Sequence, residues 1–285
     1  MKNLLRKNRT CFLLIFALAL VFTLLPVNHA QAATKNIHKY TGVDYLLTKG
    51  KSVTINNSNI TKWKSENSKI ATVNSNGKVV AKNAGVVSII GTNSYGITYT
   101  YDVGVKTRTF IPAYKTAYKV GKDIAAGTYV VIHDKKSTTS NDNSFTYWAI
   151  TNKKTNGKTL INDGFSYTSI VSLKKGQYFE LHGGYAVPIK KAAKSLFTVK
   201  NLNKYTNGAA AKVGYGLPAG TYKFTLSKGN TYGYIYLSKT PKNNTSFYKN
   251  VIDIGSVSTS KKSVTLTLKK GQYVYFYGCT LKKVK

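Results

Sequence analysis

The sequence predicts an all-β chain: one N-terminal β-sandwich unit followed by two related β-sandwich-like modules. Three observations lead there. No long stretch past the first residues repeats its apolar positions with the helical period; short runs of Val, Ile, Tyr, Phe and Thr alternate with Gly, Asn, Asp, Ser and Lys, as in many short strands closed by turns. The turns are explicit. "SNGK" at 75–78, "KNAG" at 82–85, "KKTNGK" at 153–158 and "SKGN" at 227–230 are built from residues that tolerate tight backbone reversals. Third, the chain repeats itself. "KVGKDIAAGTYVV" at 119–131 returns as "KVGYGLPAGTYKF" at 212–224, and "LKKGQYFEL" at 173–181 returns as "LKKGQYVYF" at 268–276. Two phrases recurring in one order at nearly one spacing mark a duplicated unit of about 85 residues.

The chain opens on Lys2, Arg6, Lys7 and Arg9, then an unbroken apolar run, "CFLLIFALALVFTLL", at 11–25. Pro26 ends the run, and Ala30-Gln31-Ala32 supplies small residues at the spacing a signal peptidase reads. Residues 1–32 therefore read as a secretory signal peptide. The run is shorter than the roughly 18 residues of a spanning helix, so no transmembrane segment is expected after cleavage. Cys11, in "NRTC", lies too early for lipid attachment. Past the signal the one cysteine is Cys279, which rules out an internal disulfide and a metal site built on cysteines.

Residues 41–106 form the first unit. In "IATV" the strand alternation sets Ile70 and Thr72 on one face and Ala71 and Val73 on the other. The turn at 74–77 reverses the chain, and "KVVAK" leads to Gly85, where a loop can take positive φ. Trp63 is large enough to anchor one side of a two-sheet core. The stretch "WKSENSKIATVNSNGKVVAKNAGVVSIIG" at 63–91 resembles the bacterial group 2 immunoglobulin-like domain of intimin- and invasin-type adhesins. The matching residues are Trp63, Ser65, Asn67, Ile70, Ala71, Val73, Gly77, Val79, Ala81, Gly85 and Ile89. "LLTKGKSVTI" at 46–55 corresponds to its opening strand and "YTYDVGV" at 99–105 to its closing one. The resemblance implies an Ig-like sandwich acting as a spacer or adhesive module.

"TRTFIPAYKTAYK" at 107–119 reads as a hinge into the modules, copy one at 118–200 and copy two at 211–285, with "NLNKYTNGAA" at 201–210 between them. "KKAAKSLF" at 190–197 is the best candidate for a short helical turn. In each copy a small-residue pair precedes Gly127 or Gly220 and a strand beginning at Tyr129 or Tyr222, and "LKKGQY" turns through Gly176 or Gly271. These are hairpin signals. They hold no nucleophile, base or metal-ligand cluster, so their persistence reads as a demand of the fold. The phrase resembles a repeat of secreted and lipid-anchored Gram-positive proteins, which implies a setting and no activity.

The copies differ after "LKKGQ". Phe179 and Leu181 match Val274 and Phe276, an apolar face turned to the core. The other face reads Tyr178-Glu180-His182 in copy one and Tyr273-Tyr275-Tyr277 in copy two. A second tyrosine row, Tyr232, Tyr234 and Tyr236, alternates with Ile235 and Leu237. These six tyrosines, with Lys269 and Lys270 at the neighbouring turn, are the candidate ligand-binding residues. Rings stack on sugar faces, hydroxyls hydrogen-bond, and lysines neutralise acid groups.

The chain carries 43 basic against 9 acidic residues, a formal +34. Past the signal nearly all of the cations are lysines, Arg108 being the one arginine. Lysine is a hydrated point charge, suited to diffuse attraction. The expected partner is an anionic cell-wall polymer or polysaccharide, with nucleic acid held only non-specifically. Lys, Asn, Ile and Tyr also share A/T-rich codons, which offers a genomic origin for the same excess. No enzyme is expected: no "HExxH", "GxSxG" or phosphate loop occurs. The histidines past the signal are His38, His133 and His182. The alternative catalytic set, for a glycan hydrolase, is Glu180 with His182 and Asp163 nearby. No cofactor and no metal are expected. The ending "TLKKVK" shows neither a sortase-type motif nor an apolar tail. The reading is a secreted, cationic binding or adhesion protein, held non-covalently to a Gram-positive wall; the alternative is a structural spacer without a ligand.

Overall fold

A computed structural model describes residues 34–36, 42–134 and 145–284. The signal peptide read over 1–32, and His38, lie outside them. The N-terminal unit is a two-sheet sandwich. Its strands are β1 (Thr34–Asn36), β2 (Tyr45–Thr48), β3 (Ser52–Thr54), β4 (Ile60–Ser65), β5 (Ala71–Val73), β6 (Lys78–Ala81), β7 (Gly85–Asn93) and β8 (Thr98–Lys106). One sheet runs β1-β8-β7-β4 with β2 added to β8; the other runs β3-β6-β5. Strand β7 shows the period of two most clearly: Val87 and Ile89 are buried while Val86, Ser88 and Ile90 are not. They meet Ile55, Ala71, Val79, Tyr101 and Val103 in one core. The turn before β6 needs Gly77, at φ +74, because a Cβ there would lie 2.8 Å from the Ile55 carbonyl oxygen.

The duplicated phrases fold into duplicated topology. Copy one contains β9 (Ile111–Lys119), β10 (Gly127–Ile132), β11 (Thr146–Thr151), β12 (Thr159–Phe165), β13 (Thr168–Leu173) and β14 (Tyr178–Pro188). Its sheet order is β12-β11-β14-β10-β13, with β9 paired to β14 from Tyr178 to Ala186 across register shifts. 3-10 turns at Ile189–Lys191 and Lys194–Phe197 and a short helix, Val199–Leu202, lead into copy two. The helical turn expected at 190–197 is thus present as 3-10 turns. Copy two contains β15 (Ala209–Lys212), β16 (Gly220–Leu226), β17 (Tyr232–Ser238), β18 (Val251–Ser258), β19 (Ser263–Leu268), β20 (Tyr273–Tyr277) and β21 (Cys279–Lys283). Its two sheets run β15-β20-β17-β18 and β19-β16-β21. In copy one the long β14 passes through Gly183 and Gly184, both at positive φ, pairing with β11 before them and with β10 after them. In copy two Gly278 (φ +69) divides the strand into β20 and β21.

The repeated phrases form a clasp. The Val120 N–H donates to the Gln177 carbonyl at 2.9 Å, and the Gly176 N–H donates back to the Val120 carbonyl at 3.0 Å. Val213, Gln272 and Gly271 repeat both bonds at 2.8 and 2.9 Å. The glutamine side chain closes its own turn, accepting from the Lys174 N–H at 2.7 Å and from the Lys269 N–H at 2.6 Å. The "GTY" tyrosines, Tyr129 and Tyr222, donate to the carbonyls of Ala125 and Pro218 at 2.9 and 2.8 Å. The same contacts thus occur in both copies and give the repeated residues one structural role.

One core runs through both copies, from Ile111 and Trp148 to Phe276 and Leu281. Strand β9, which starts before Tyr118, places Ile111 and Ala113 in it. At the joint the Thr168 hydroxyl donates to the Ala210 carbonyl at 2.9 Å, and the Ser172 N–H donates to the Lys242 carbonyl at 2.7 Å. Burial pushes the Cys279 thiol and the Tyr167 phenol up to about 12, and raises Tyr118 and Tyr275 above the usual phenol range. A group whose folded pKa is raised favours the fold fully below its unfolded pKa, about 8.5 for Cys and 10 for Tyr, and loses that contribution above it. Urea midpoints should therefore hold level to about pH 8.5 and fall steadily from there towards pH 12.

Candidate functional site

Strand β17 was expected to bury Ile235 and Leu237 and to present its tyrosines, and its alternation does so. Ile235 and Leu237 are buried beside Phe276 and Val274 of β20. Tyr232 and Tyr234 face outward, 53% and 42% exposed, and Tyr236 is half-buried. The register builds rows across three strands. Tyr234 stands between Ser256 of β18 and Tyr277 of β20; Tyr236 stands between Ile254 and Tyr275. Ile254 is 61% exposed and Tyr277 40%. Tyr232 and Tyr234 have ring centroids 5.4 Å apart, and Tyr248 meets Tyr236 edge-on at 6.5 Å. The outcome is an exposed, mostly aromatic sheet face.

Strand β20 departs from the expected row. Tyr273 and Tyr275 are buried, and only Tyr277 reaches the surface. Their face of the sheet is covered by copy one. The Tyr275 hydroxyl donates to the Ile170 carbonyl of β13 at 2.8 Å and accepts the Lys242 N–H at 3.0 Å. Tyr273 sits under the Lys212 ammonium, 5.6 Å from its ring centroid. Lys269 and Lys270 belong to the clasp turn that leads into Tyr273, at the far end of β20 from Tyr277. The Lys270 stem lies against Gly214, so these lysines do not flank the exposed tyrosines.

The lysine beside the face is Lys242, from the loop after β17. Its ammonium pairs with the Asp163 carboxylate of copy one at 2.7 Å and lies 4.9 Å from the Tyr275 ring centroid. The Ser169 hydroxyl also donates to Asp163. Asp163, Lys242, Tyr234, Tyr236, Tyr275 and Tyr277 line one cleft between the copies. In sequence Lys242 is one lysine among many in a turn-rich loop, and no local signal marks it.

Glu180 and His182 line a separate recess with Tyr114, Lys115, Lys154 and Asn156. The expected neighbour Asp163 is not there. Glu180 pairs across β11 with Ala149 and so with Asn162, whereas Asp163 pairs with Trp148 and so with Leu181. Side chains at successive strand positions point to opposite faces, so Asp163 lies on the other side of the sheet. Among the described residues no group of three or more His, Cys, Asp or Glu could hold a metal ion.

In the N-terminal unit Trp63 is half-buried rather than central. A Cβ on Gly77 or Gly91 would lie 3.0 Å from its indole, and the ring centroid is 5.7 Å from that of Tyr101. The Ser65 hydroxyl donates to the Ala71 carbonyl at 2.7 Å, tying the last residue of β4 to β5 of the facing sheet. Residues 38–99 match the bacterial Ig-like domain (group 2). The match accounts for about a fifth of the chain and overlaps the sandwich expected over 41–106. No curated protein matches the chain at a significant level. Among solved structures the chain is similar to SGBP-B of the Bacteroides ovatus mixed-linkage glucan utilization locus, in complex with a mixed-linkage heptasaccharide. That similarity is 12% identity over 56% of this chain and 52% of that one, with a TM-score of 0.18. The chain thus spans about half the length of that protein, and at such a score the likeness bears on neither fold nor function. No helix among the described residues is long and apolar enough to cross a membrane.

Proposed function

We propose that this chain is a secreted, non-catalytic surface protein that binds polysaccharide on the tyrosine face of copy two. The Ig-like domain acts as a spacer or adhesive module. The lysine charge holds the protein non-covalently to anionic polymer of a Gram-positive wall. The observation that carries the reading is the outward row of Tyr232, Tyr234 and Tyr277, held on strands whose alternate residues are buried. Rigid aromatic rings with polar tips suit sugars, which present flat C–H faces edged by hydroxyls.

Binding of the mature chain to purified walls, with and without their anionic polymer, tests it. The double variant Tyr232→Ser, Tyr234→Ser should bind glycan about tenfold more weakly, the loss of roughly 1.4 kcal/mol, with an unchanged melting temperature. Wall retention should fall near 1 M salt, where the screening length shrinks to about 3 Å. A double variant that binds as the parent does would favour the spacer reading. Retention indifferent to salt would remove the role given to lysine.

A further inference from the structure

The charge of the cleft beside the tyrosine face differs from the charge of the chain. The chain is strongly cationic, yet the cleft beside the face is lined by one cation and one anion, Lys242 and Asp163, and by no other Lys, Arg, Asp or Glu. They form a 2.7 Å pair with no net charge. Lys269 and Lys270, the cations expected to serve the face, stand at the other end of β20. Inside that cleft an anionic polymer would meet the Asp163 carboxylate with Lys242, already paired to it, as the one cation in the lining.

The pair keeps unused hydrogen-bonding capacity. The Lys242 and Asp163 side chains retain 13% and 18% of their surface. One Asp163 oxygen accepts from Lys242 and the other from Ser169, which leaves a lone pair on each. The Lys242 ammonium has protons beyond the one given to Asp163. A sugar hydroxyl both donates and accepts, so two neighbouring hydroxyls can give a proton to Asp163 and take one from Lys242. Both bonds are charge-assisted.

Building on the reading above, we infer that the face takes an uncharged, hydroxyl-rich glycan, and that Asp163 and Lys242 select it by reading two adjacent hydroxyls. Glycan recognition and wall retention are then separate functions of separate surfaces. The tyrosines and the Asp163–Lys242 pair perform the first, and the dispersed lysines perform the second.

The test uses the mature full-length chain, with soluble dextran and galactomannan as neutral probes and teichoic acid as the anionic one, by titration calorimetry. A neutral polymer should bind with an affinity that barely changes up to about 0.5 M salt, because uncharged ligands are not screened. Asp163→Asn and Lys242→Gln should each weaken it by about tenfold or more, the loss expected for a hydrogen bond to a charged group. Treating the polymer with periodate, which cleaves adjacent diols, followed by borohydride should abolish its binding to the parent. Teichoic acid binding should vanish in salt and be indifferent to Asp163→Asn. Both variants could disturb the joint between copies, so melting temperatures accompany each titration, and the periodate comparison on the unaltered chain stands without them. Three results overturn the inference. Neutral polymers fail to bind while teichoic acid binds through Tyr234. Binding needs the tyrosines and ignores both the pair and periodate. Or no polysaccharide depends on the tyrosines, in which case the proposed function falls too.

Discussion

Phe276→Ser should unfold copy one along with copy two. Phe276 is buried on the central strand β20, edge-on to Phe224 at 5.8 Å. Emptying such a site costs about 3–5 kcal/mol, and a stranded hydroxyl adds about 1–3 kcal/mol, against a usual margin of about 5–15 kcal/mol. The shared core carries the damage across the joint. Trp148 reports it, since it is buried in copy one and the only other tryptophan is Trp63 of the Ig-like domain. In a Trp63→Phe background the transition followed by Trp148 fluorescence should move to lower urea in the Phe276→Ser variant. A Trp148 transition that stays where the parent has it would mean the copies fold independently.

Tyr275→Ala should cost about 3–5 kcal/mol, far more than Tyr234→Ser, which lies diagonally across on the neighbouring strand β17 and on the same face. The Tyr275 ring fills the joint, against Phe247 at 5.4 Å and below Lys242. Tyr275→Phe separates the contributions. It keeps the ring and strips the Ile170 carbonyl of its partner, for about 1–3 kcal/mol. Tyr234 is exposed, and its replacement should stay within about 0.5 kcal/mol of the parent. Urea unfolding of the three variants checks this. Equal costs for Tyr275→Ala and Tyr234→Ser would contradict the burial of the joint.

These two tyrosines also show what the sequence could disclose. Alternation in "YGYIYLS" identified the buried and exposed faces of β17 from the residues alone, because one face meets the core and the other meets solvent. The same rule applied to "YVYFY" made Tyr273 and Tyr275 exposed, and both are buried. Alternation tells one face from the other but cannot say whether a second module covers the outer one. A run that is apolar or aromatic on both faces is the usual mark of a strand buried on both sides, and β20 is such a run. Asp163 and Lys242 were harder still. They lie far apart in the chain, and which face Asp163 occupies follows from the β11–β12 register, which the sequence does not state. The Ig-like domain was legible because its turns and its alternation fall within one short continuous stretch.

The clasp has a consequence for how the chain reaches its fold. An unfolded chain holds two versions of each half, and Val120 can be bonded by the turn of copy two as well as by its own. Tandem repeats are prone to such exchanged pairings, and nothing in the local bonding of the clasp distinguishes them. The residues that follow do. An exchange would carry Glu180 to the place of Tyr275, losing the ring that packs against Phe247 and the hydroxyl that donates to the Ile170 carbonyl, and burying most of a carboxylate beside the Asp163 that already holds Lys242. The divergence that gave copy two its aromatic strand thereby also penalises the wrong partner during folding.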